Sequence, residues 1–374
     1  MINPAFLRRN EDKVKKHNPD DTCKACNRLG KVGGQAVLEG VMMKAGDNYC
    51  VAIRKPDNTI DIKNRTFQSV RKKHKILNLP LIRGMVNFVE MMILSFKTLA
   101  ISIESLGIEE EETRFEKWLQ KHFGRSIMDL VMGIATVLGL ILGIALFTLL
   151  PTLTTAGIDN LTGEKLNSFR SVIEGVIRIG IFVLYIYLVS LMKEIRRTFE
   201  YHGAEHKAVA CYESGDPLTV ENTKKHNRYH ARCGTNFIFV MLIISIIVFS
   251  FVTWSNLYIR VALKLILIPL IVGIGYEFIM FAGKHTNPIT KIFCAPGLLM
   301  QRITTREPDD SQIEIAITAL KNALPDEFPE VLADTVNNAE SEFSVFSEPT
   351  ETPESSVEDS ALPAQEEAIN NDEN

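Results

Sequence analysis

The residues with the clearest chemical meaning lie in the stretch FEYHGAEHKAVACYE, residues 199–213. Within it, His202, Glu205 and His206 form an H-x-x-E-H pattern. On an α-helix, residues four apart lie ~40° apart on one face, so both imidazoles point the same way and Glu205 lies nearby. In metalloenzymes with this pattern the two histidines bind zinc and the glutamate takes a proton from the attacking water. The pattern therefore predicts a divalent metal site, with zinc as the expected ion and Glu205 as the catalytic base.

Three further residues that can bind a metal follow in the same segment. His226, His230 and Cys233 are spaced i, i+4 and i+7, so on a helix they would form one stripe. Imidazole and thiolate groups both suit zinc, and we expect His230 and Cys233 to join the metal site. The alternative is that the histidines are surface side chains of a basic segment.

Glu277 is another candidate ligand. It is the only acidic residue in the apolar segment 261–283, and carboxylates inside a membrane segment are costly and usually functional. Its carboxylate would lie just below the surface that carries the histidines, within reach of a metal held above it. The alternatives are an ion pair with Lys264 or with a charge of segment 79–107.

The six cysteines bear on the cellular compartment. All of them lie outside the long apolar segments, in parts of the chain predicted to face the cytosol, where thiols stay reduced and disulfides are rare. Cys23 and Cys26 form a lone C-x-x-C pair, a weak signal without a second pair at zinc-finger spacing. We expect this pair to have an incidental or accessory role.

Long apolar segments must position these residues. Hydrophobic residues make up 46% of the 374-residue chain, and about 20 apolar residues are enough to cross a membrane core of ~30 Å. The sequence therefore predicts four transmembrane helices, near 130–151, 171–192, 237–256 and 261–283. The histidines and Cys233 then lie in the loop 193–236, between the second and the third of these helices.

Segment 79–107 is apolar but carries a charge at every seventh position, namely Arg83, Glu90, Lys97 and Glu104. Seven residues advance a helix by nearly two whole turns, so these charges form one narrow polar stripe. A stripe of alternating sign is typical of an amphipathic helix at the membrane interface, or of a re-entrant helix. The alternative is a fifth transmembrane helix whose stripe faces the other helices.

Lysine and arginine counts predict the orientation in the membrane. The segment 193–236 holds eight of these residues, whereas the connections 151–170 and 254–260 together hold three. The loop 193–236 is therefore expected in the cytosol, and four spans place both termini there too. The expected location is the cytoplasmic membrane, with the lipid bilayer as partner and no nucleic-acid partner.

Outside the membrane segments, a small β-containing cytosolic unit is predicted at 31–78. Two short strand-like runs flank the turn residues Pro56-Asp57-Asn58, a turn signal, and Gly33-Gly34 suits a tight turn or a close backbone approach. Residues 1–30 and 326–374 are expected to be disordered extensions. The second is acidic, because removing the eleven acidic residues of its last 35 positions changes the formal net charge from −4 to +7.

Five stretches carry a further signal: GGQAVLEGVMM (33–43), LIRGMVNFVEMM (81–92), EYHGAEHKAVACYE (200–213), HARCGTNF (230–237) and LLMQRITTREPDDSQIEIAITAL (298–320). Together they resemble the YqhQ family of bacterial membrane proteins, over roughly residues 30–325. That family is usually described as a predicted metal-dependent enzyme. The resemblance implies that its characteristic polar positions are His202, Glu205, His206, His230 and Cys233.

The expected fold class is mainly α: a polytopic helical membrane protein with about four transmembrane helices, an amphipathic or re-entrant helix, and a small N-terminal β-containing cytosolic unit. Two functions follow from these features. The first is a metal-dependent hydrolase that acts at the cytosolic membrane surface on a membrane peptide or a lipid headgroup. The second is a non-catalytic membrane factor, for transport or membrane-protein assembly, whose metal is structural. Three protein ligands favour the first and four favour the second, so the role of Cys233 discriminates between them.

The asymmetry of basic residues generates a topology prediction. A reporter fused after Asp216 should read cytosolic, and one fused after Asp159 should read external, because basic loops are retained in the cytosol. A phosphatase that is active only outside the cytosol measures this. A cytosolic reading at Asp159 would refute the four-span arrangement.

Overall fold

The structure is a computed structural model that describes residues 28–107, 134, 137–162, 169–230, 232–251, 257–284 and 287–329. The predictions for residues 1–27 and 330–374, and for the start of the span near 130–151, lie outside the described residues. The cysteines that the structure describes are free thiols, consistent with the expected reduced state: Cys50, Cys211, Cys233 and Cys294.

Helices make up most of the described chain. They are α1 (Ile82–Ser105), α2 (Val137–Leu161), α3 (Arg170–Val189), α4 (Lys193–Ser214), α5 (Val220–Lys225), α6 (Gly234–Ser250), α7 (Leu257–Ile266), α8 (Ile268–Lys284), α9 (Pro288–Thr304) and α10 (Asp310–Ala323). Short 3₁₀ turns occupy Val70–Lys72 and Lys75–Asn78, and α2 contains a π-helical turn at Ala145–Leu149.

The N-terminal part contains the predicted β structure. Four strands, β1 (Val32–Val37), β2 (Gly40–Ala45), β3 (Asn48–Arg54) and β4 (Ile60–Thr66), form an antiparallel sheet in the order β1-β2-β3-β4. The turn predicted at Pro56-Asp57-Asn58 joins β3 to β4. Gly33-Gly34 lies within β1 rather than in a turn, so the close backbone approach is the reading that the structure favours.

Both faces of the two central strands, β2 and β3, are buried. Side chains alternate between faces along a strand, so Val41 and Met43 of β2 enter one core while Met42 enters another. The first core also contains residues of α4 and α10, and the second contains Leu94 of α1. The sheet thus forms a layer between α1 on one side and α4 with α10 on the other.

Several helices are apolar enough to cross a membrane. By length and composition, α1, α2 and α3 can each span it, and α7 with α8 can make a fourth span that is bent by 40°. The bend lies where Pro269 follows the break, because proline lacks the N–H that would continue the helix. Helix α6 is equally apolar but has only 17 residues. The predicted spans near 171–192, 237–256 and 261–283 thus correspond to α3, to α6 and to the bent pair.

Helix α1 joins the sheet to the apolar helices. Near its start the Arg83 Nε donates to Glu277 Oε1 of α8 at 2.7 Å. Further along, Leu94 is fully buried beneath the sheet, whereas Phe96 on the other side is 67% exposed. A helix that packs against the protein on one face and exposes apolar side chains on the other is suited to lie at the membrane interface. That orientation stays a prediction, because α1 is also long and apolar enough to span.

The chain between α9 and α10 crosses over α4 at a glycine. The Arg306 N–H donates to Phe199 O at 2.8 Å, and a Cβ at position 203 would lie only 2.0 Å from Arg306 O. The backbone of this crossing segment can therefore lie directly on α4 only because residue 203 has no side chain. Asp309 then caps α10, accepting from the Gln312 N–H at 2.8 Å.

We expect Gly203→Ala to destabilise the protein by about 1–3 kcal/mol, because the added methyl group must push the crossing segment off α4. The melting temperature of the purified protein measures this. The control is Gly180→Ala on α3, where a Cβ would meet nothing within 4 Å and alanine is the better helix former. Equal melting temperatures for the two variants would contradict the close contact.

Candidate metal centre

Helix α4 presents two histidines side by side. The rings of His202 and His206 lie with centroids 4.4 Å apart, as the i, i+4 spacing predicts. His202 Nδ1 donates to Thr304 O at 2.8 Å, and His206 Nδ1 donates to Arg228 O at 2.5 Å. A carbonyl can only accept, so each neutral imidazole carries its proton on Nδ1 and keeps the Nε2 lone pair free. Such carbonyl partners are typical of metal-binding histidines, whose orientation they hold.

Cys233 completes a group of three donors. It is the N-cap of α6, where its Sγ accepts from the Thr235 N–H at 3.4 Å. The same sulfur lies 3.3 Å from His202 Nε2. The ligand atoms of His202, His206 and Cys233 all lie within 4.8 Å of one another. Helix α4, which contains the H-x-x-E-H pattern, thus meets the N-cap residue of the apolar helix α6 at this group of donors.

Charge in this group favours the ionised cysteine. Burial disfavours a thiolate, but the nearby His202 and His206 outweigh it and hold the pKa of Cys233 well below its ordinary value. Burial likewise disfavours a charged His202, yet Cys233, Glu205 and the Thr304 carbonyl raise its pKa to about 9. Without a metal, the geometry therefore favours a thiolate–imidazolium pair. A metal ion requires the thiolate and neutral imidazole, so its binding would displace the proton of His202.

The helical stripe expected for His226, His230 and Cys233 is wrong. Helix α5 ends at Lys225, and the backbone is extended at His226 (ψ 160°) and at Cys233 (ψ 147°). Residues four and seven apart share one face only on a helix, and not on extended backbone. His226 instead lies beside a carboxylate, with its Nε2 2.9 Å from Asp216 Oδ2.

His230 lies next to the three donors but is not one of them. Its ring centroid is 5.7 Å from that of His206, while its Nε2 lies 3.3 Å from an Arg232 nitrogen and 3.5 Å from Glu213 Oε2. Gln301 fixes its backbone, accepting from the His230 N–H and donating to its carbonyl, each at 2.8 Å. The structure therefore places the predicted ligand His230 in the wall of the site.

Glu277 is also outside the group. Its carboxylate binds the Arg83 guanidinium and accepts from the Leu81 N–H at 3.4 Å. Of the alternatives that the sequence left open, this is the ion pair with a charge of segment 79–107. The structure does not bring Glu277 and His202 together.

Glu205 lies at the edge of the donor group. Its Oε2 is 3.5 Å from His206 Nε2, its side chain is buried, and it is not a member of the set within 4.8 Å. A Cβ at position 34 would lie 2.9 Å from Glu205 Cγ and 2.6 Å from Met42 O. The second glycine of β1 thus makes room for this carboxylate against the sheet.

Sequence reasoning missed the groups that orient the two histidines. The acceptors are backbone carbonyls of Thr304 and Arg228, and a carbonyl is present at every residue, so no side-chain type marks it. Gln301 and Gly203 could have been found from the sequence, because both lie in the stretches that carry the family resemblance. A glycine inside a metal-binding helix signals a close backbone neighbour.

The donor set fits a zinc ion. Two imidazole nitrogens and one thiolate are ligands that zinc prefers, and both imidazoles already have partners for Nδ1. Within the described residues, three side chains meet in this way, and three protein ligands leave one tetrahedral position for water or substrate.

Fold and site together define a mainly helical protein with apolar helices and a candidate metal centre beside a small sheet. A family model described as "Protein of unknown function (DUF1385)" matches residues 79–326, and the chain belongs to this family. The "Uncharacterized protein YqhQ" of Bacillus subtilis (strain 168) is 36% identical over 300 residues, which cover 78% of this chain and 92% of that protein. The resemblance to the YqhQ family is therefore confirmed. No solved structure matches the chain.

We expect the purified protein to carry about one zinc-like ion per chain, because three donors meet at one point. His202→Ala, His206→Ala and Cys233→Ala should each lose most of it, since two donors alone bind weakly. Elemental analysis of the purified variants measures this. His230→Ala is the matched control and should keep its metal. Full metal content in the His202→Ala, His206→Ala double variant would contradict the site, and metal loss in His230→Ala would return that residue to the ligand set.

Proposed function

We propose that this protein is a metal-dependent hydrolase of the cytoplasmic membrane, with its site on the cytosolic surface. The observation that carries the proposal is the position of Glu205. A buried carboxylate lies 3.5 Å from the Nε2 of one candidate ligand without belonging to the three-donor group. This is the arrangement in which a glutamate acts as a base and not as a ligand.

The connections of the site support its place at a membrane surface. Helix α4 follows α3 after only three residues, Ser190–Met192, and α3 can span a membrane. Cys233 directly precedes the apolar helix α6. Both parts of the candidate centre therefore lie at the ends of apolar helices: α4 follows the end of α3, and Cys233 lies at the start of α6. With the basic segment 193–236 in the cytosol, the site and both termini lie on the cytosolic side.

The chain's own residues have distinct roles in this proposal. His202, His206 and Cys233 would hold the metal, and the carbonyls of Thr304 and Arg228 keep the imidazoles directed at it. When bound, a zinc ion supplies Lewis acidity and makes water a better nucleophile at neutral pH. Glu205 accepts the proton of the attacking water and returns it to the leaving group.

The substrate class follows from the place of the site. A centre at the ends of apolar helices meets molecules that are themselves held in the membrane. We therefore propose a membrane peptide or a lipid headgroup as the substrate, both of which carry a bond that water can cleave at the surface.

A specific observation favours a second function, a non-catalytic membrane factor with a structural metal. His206 is 1% exposed and Glu205 is 5% exposed, and structural sites are closed to solvent. In that case Glu205, which lies on the Nε2 side of His206, would help to hold the closed site together and would not act as a base. Glu205 therefore separates the two functions.

Glu205→Gln keeps the size of the side chain and removes the basic oxygen. If Glu205 is the base, metal content should stay near one ion per chain while function is lost, since general bases contribute ~10²–10⁴ in rate. Complementation of a deletion strain measures function, with folded protein and metal determined in the same cells. Glu194→Gln is the matched control, because it changes an exposed glutamate of the same helix.

Each function predicts its own pattern for this variant. If the metal is structural, metal content and folded protein fall together, and function falls only as far as they do. A Glu205→Gln variant that is folded, loaded with metal and fully functional would rule out the hydrolase.

A further inference from the structure

Lys207 follows the second histidine of α4 and is almost completely buried. It is 3% exposed, although lysine is rarely buried without partners, because its ammonium group is strongly hydrated in water. Residues four apart on a helix share one face, so Lys207 lies on the same face of α4 as Gly203. That face is the one that the crossing segment between α9 and α10 covers. The ammonium group is therefore enclosed by other parts of the chain.

Two segments supply the acceptors of the Lys207 ammonium group. Its Nζ donates to Lys224 O at 3.0 Å, near the end of α5, and to Glu307 Oε1 in the crossing segment. Glu307 also lies beside Arg228, with its Oε2 3.7 Å from Arg228 Nη1. One buried cation thus joins α4, the end of α5 and the crossing segment.

The same two segments hold the histidines of the candidate metal centre. Arg228, whose carbonyl accepts from His206 Nδ1, lies four residues after the first acceptor of Lys207. Thr304, whose carbonyl accepts from His202 Nδ1, lies three residues before the second acceptor. The structure describes both stretches without a gap, from α4 to Arg228 and from α9 to α10. The position of the ammonium group therefore bears on the orientation of both imidazoles.

We propose that Lys207 is a positioning residue of the candidate metal centre, which fixes the two segments whose carbonyls orient His202 and His206. The inference rests on the metal centre of the proposed function, and not on hydrolysis. Its physical basis is that an ammonium group is strongly disfavoured in the interior without its acceptors. The buried Lys207 is therefore stable only when both segments are in place, and both segments lose a charged donor when it is removed.

Lys207→Met tests the role of the charge, because methionine is also long and unbranched but has no donor. The full chain is purified in detergent, and its zinc affinity is measured by competition with a chelator of known affinity. We expect the variant to bind zinc about 10–100-fold more weakly than the unaltered protein, as is usual when an outer partner of a metal ligand is lost. Lys225→Met is the matched control and should bind zinc like the unaltered protein. It removes an exposed lysine of α5 whose Nζ donates to Asn222 Oδ1 at 3.0 Å.

Two further measurements separate positioning from a purely structural role. Cobalt(II) bound in place of zinc absorbs visible light according to its coordination geometry, so the cobalt spectrum of Lys207→Met should differ from that of the unaltered protein. The melting temperature in excess chelator reports folding without metal. A purely structural lysine would lower that temperature and leave the zinc affinity of the folded protein and the cobalt spectrum unchanged. That result would overturn the proposal.

Glu307→Ala keeps the proposal testable if Lys207→Met does not fold. The Glu307 side chain is 63% exposed, so its removal should leave the core intact. Because this carboxylate contacts both Lys207 and Arg228, we expect zinc to bind about tenfold more weakly. An affinity equal to that of Lys225→Met would contradict the connection between the two segments.

The outcomes also distinguish this proposal from the proposed hydrolase. If the unaltered protein binds neither zinc nor cobalt, the metal centre and the role of Lys207 fail together. If both metals bind the unaltered protein, and the Lys207 and Glu307 variants bind them equally well, only the positioning role fails. If those variants lose affinity while Glu205→Gln stays fully functional with metal bound, the hydrolase fails and the positioning role stands.

Discussion

The contact between α4 and the segment that crosses it is the interaction on which the candidate metal centre depends. Gly203 lets the backbone of Arg306 lie directly on the helix, and this brings Thr304 O within 2.8 Å of His202 Nδ1. The same crossing brings Glu307 to the buried Lys207. The absence of a side chain at residue 203 therefore allows the crossing segment to cover α4, and it allows the Thr304 carbonyl to orient the ring of His202. Sites are precise when such outer contacts hold the ligands in place.

The sheet has a comparable role for the base. Both faces of β2 and β3 are buried, so the sheet is a fixed layer and not a flexible extension of the membrane helices. Glu205 lies against this layer at Gly34, where a larger residue would collide with Glu205 Cγ and with Met42 O. Helix α4 is thus held on one side by the sheet and on the other by the crossing segment. This explains how a carboxylate can be buried beside the donor group at a defined distance.

Buried charge is treated differently in different parts of the molecule. Glu277 has a nearby guanidinium on α1 and a backbone N–H, so that carboxylate is satisfied within the chain and ties α1 to α8. At the donor group, Cys233 and the two histidines compensate each other. In the bundle of α2 and α3, the Glu174 carboxylate accepts from Arg178 and from the Thr152 hydroxyl.

The sequence by itself determined the features that depend on residues close together along the chain. The i, i+4 spacing places His202 beside His206 on any α-helix, the long apolar runs predict the helices, and the turn at Pro56-Asp57-Asn58 predicts the β3–β4 hairpin. Tertiary structure decided which distant groups join them. It selected Cys233 at the start of α6 and left His230 in the wall of the site, because α5 ends at Lys225 and the backbone is extended at His226 and at Cys233. It also determined which carbonyl groups accept from the histidines. The sequence could not predict these partners, because every residue has a backbone carbonyl and only the fold brings a particular one to the ring.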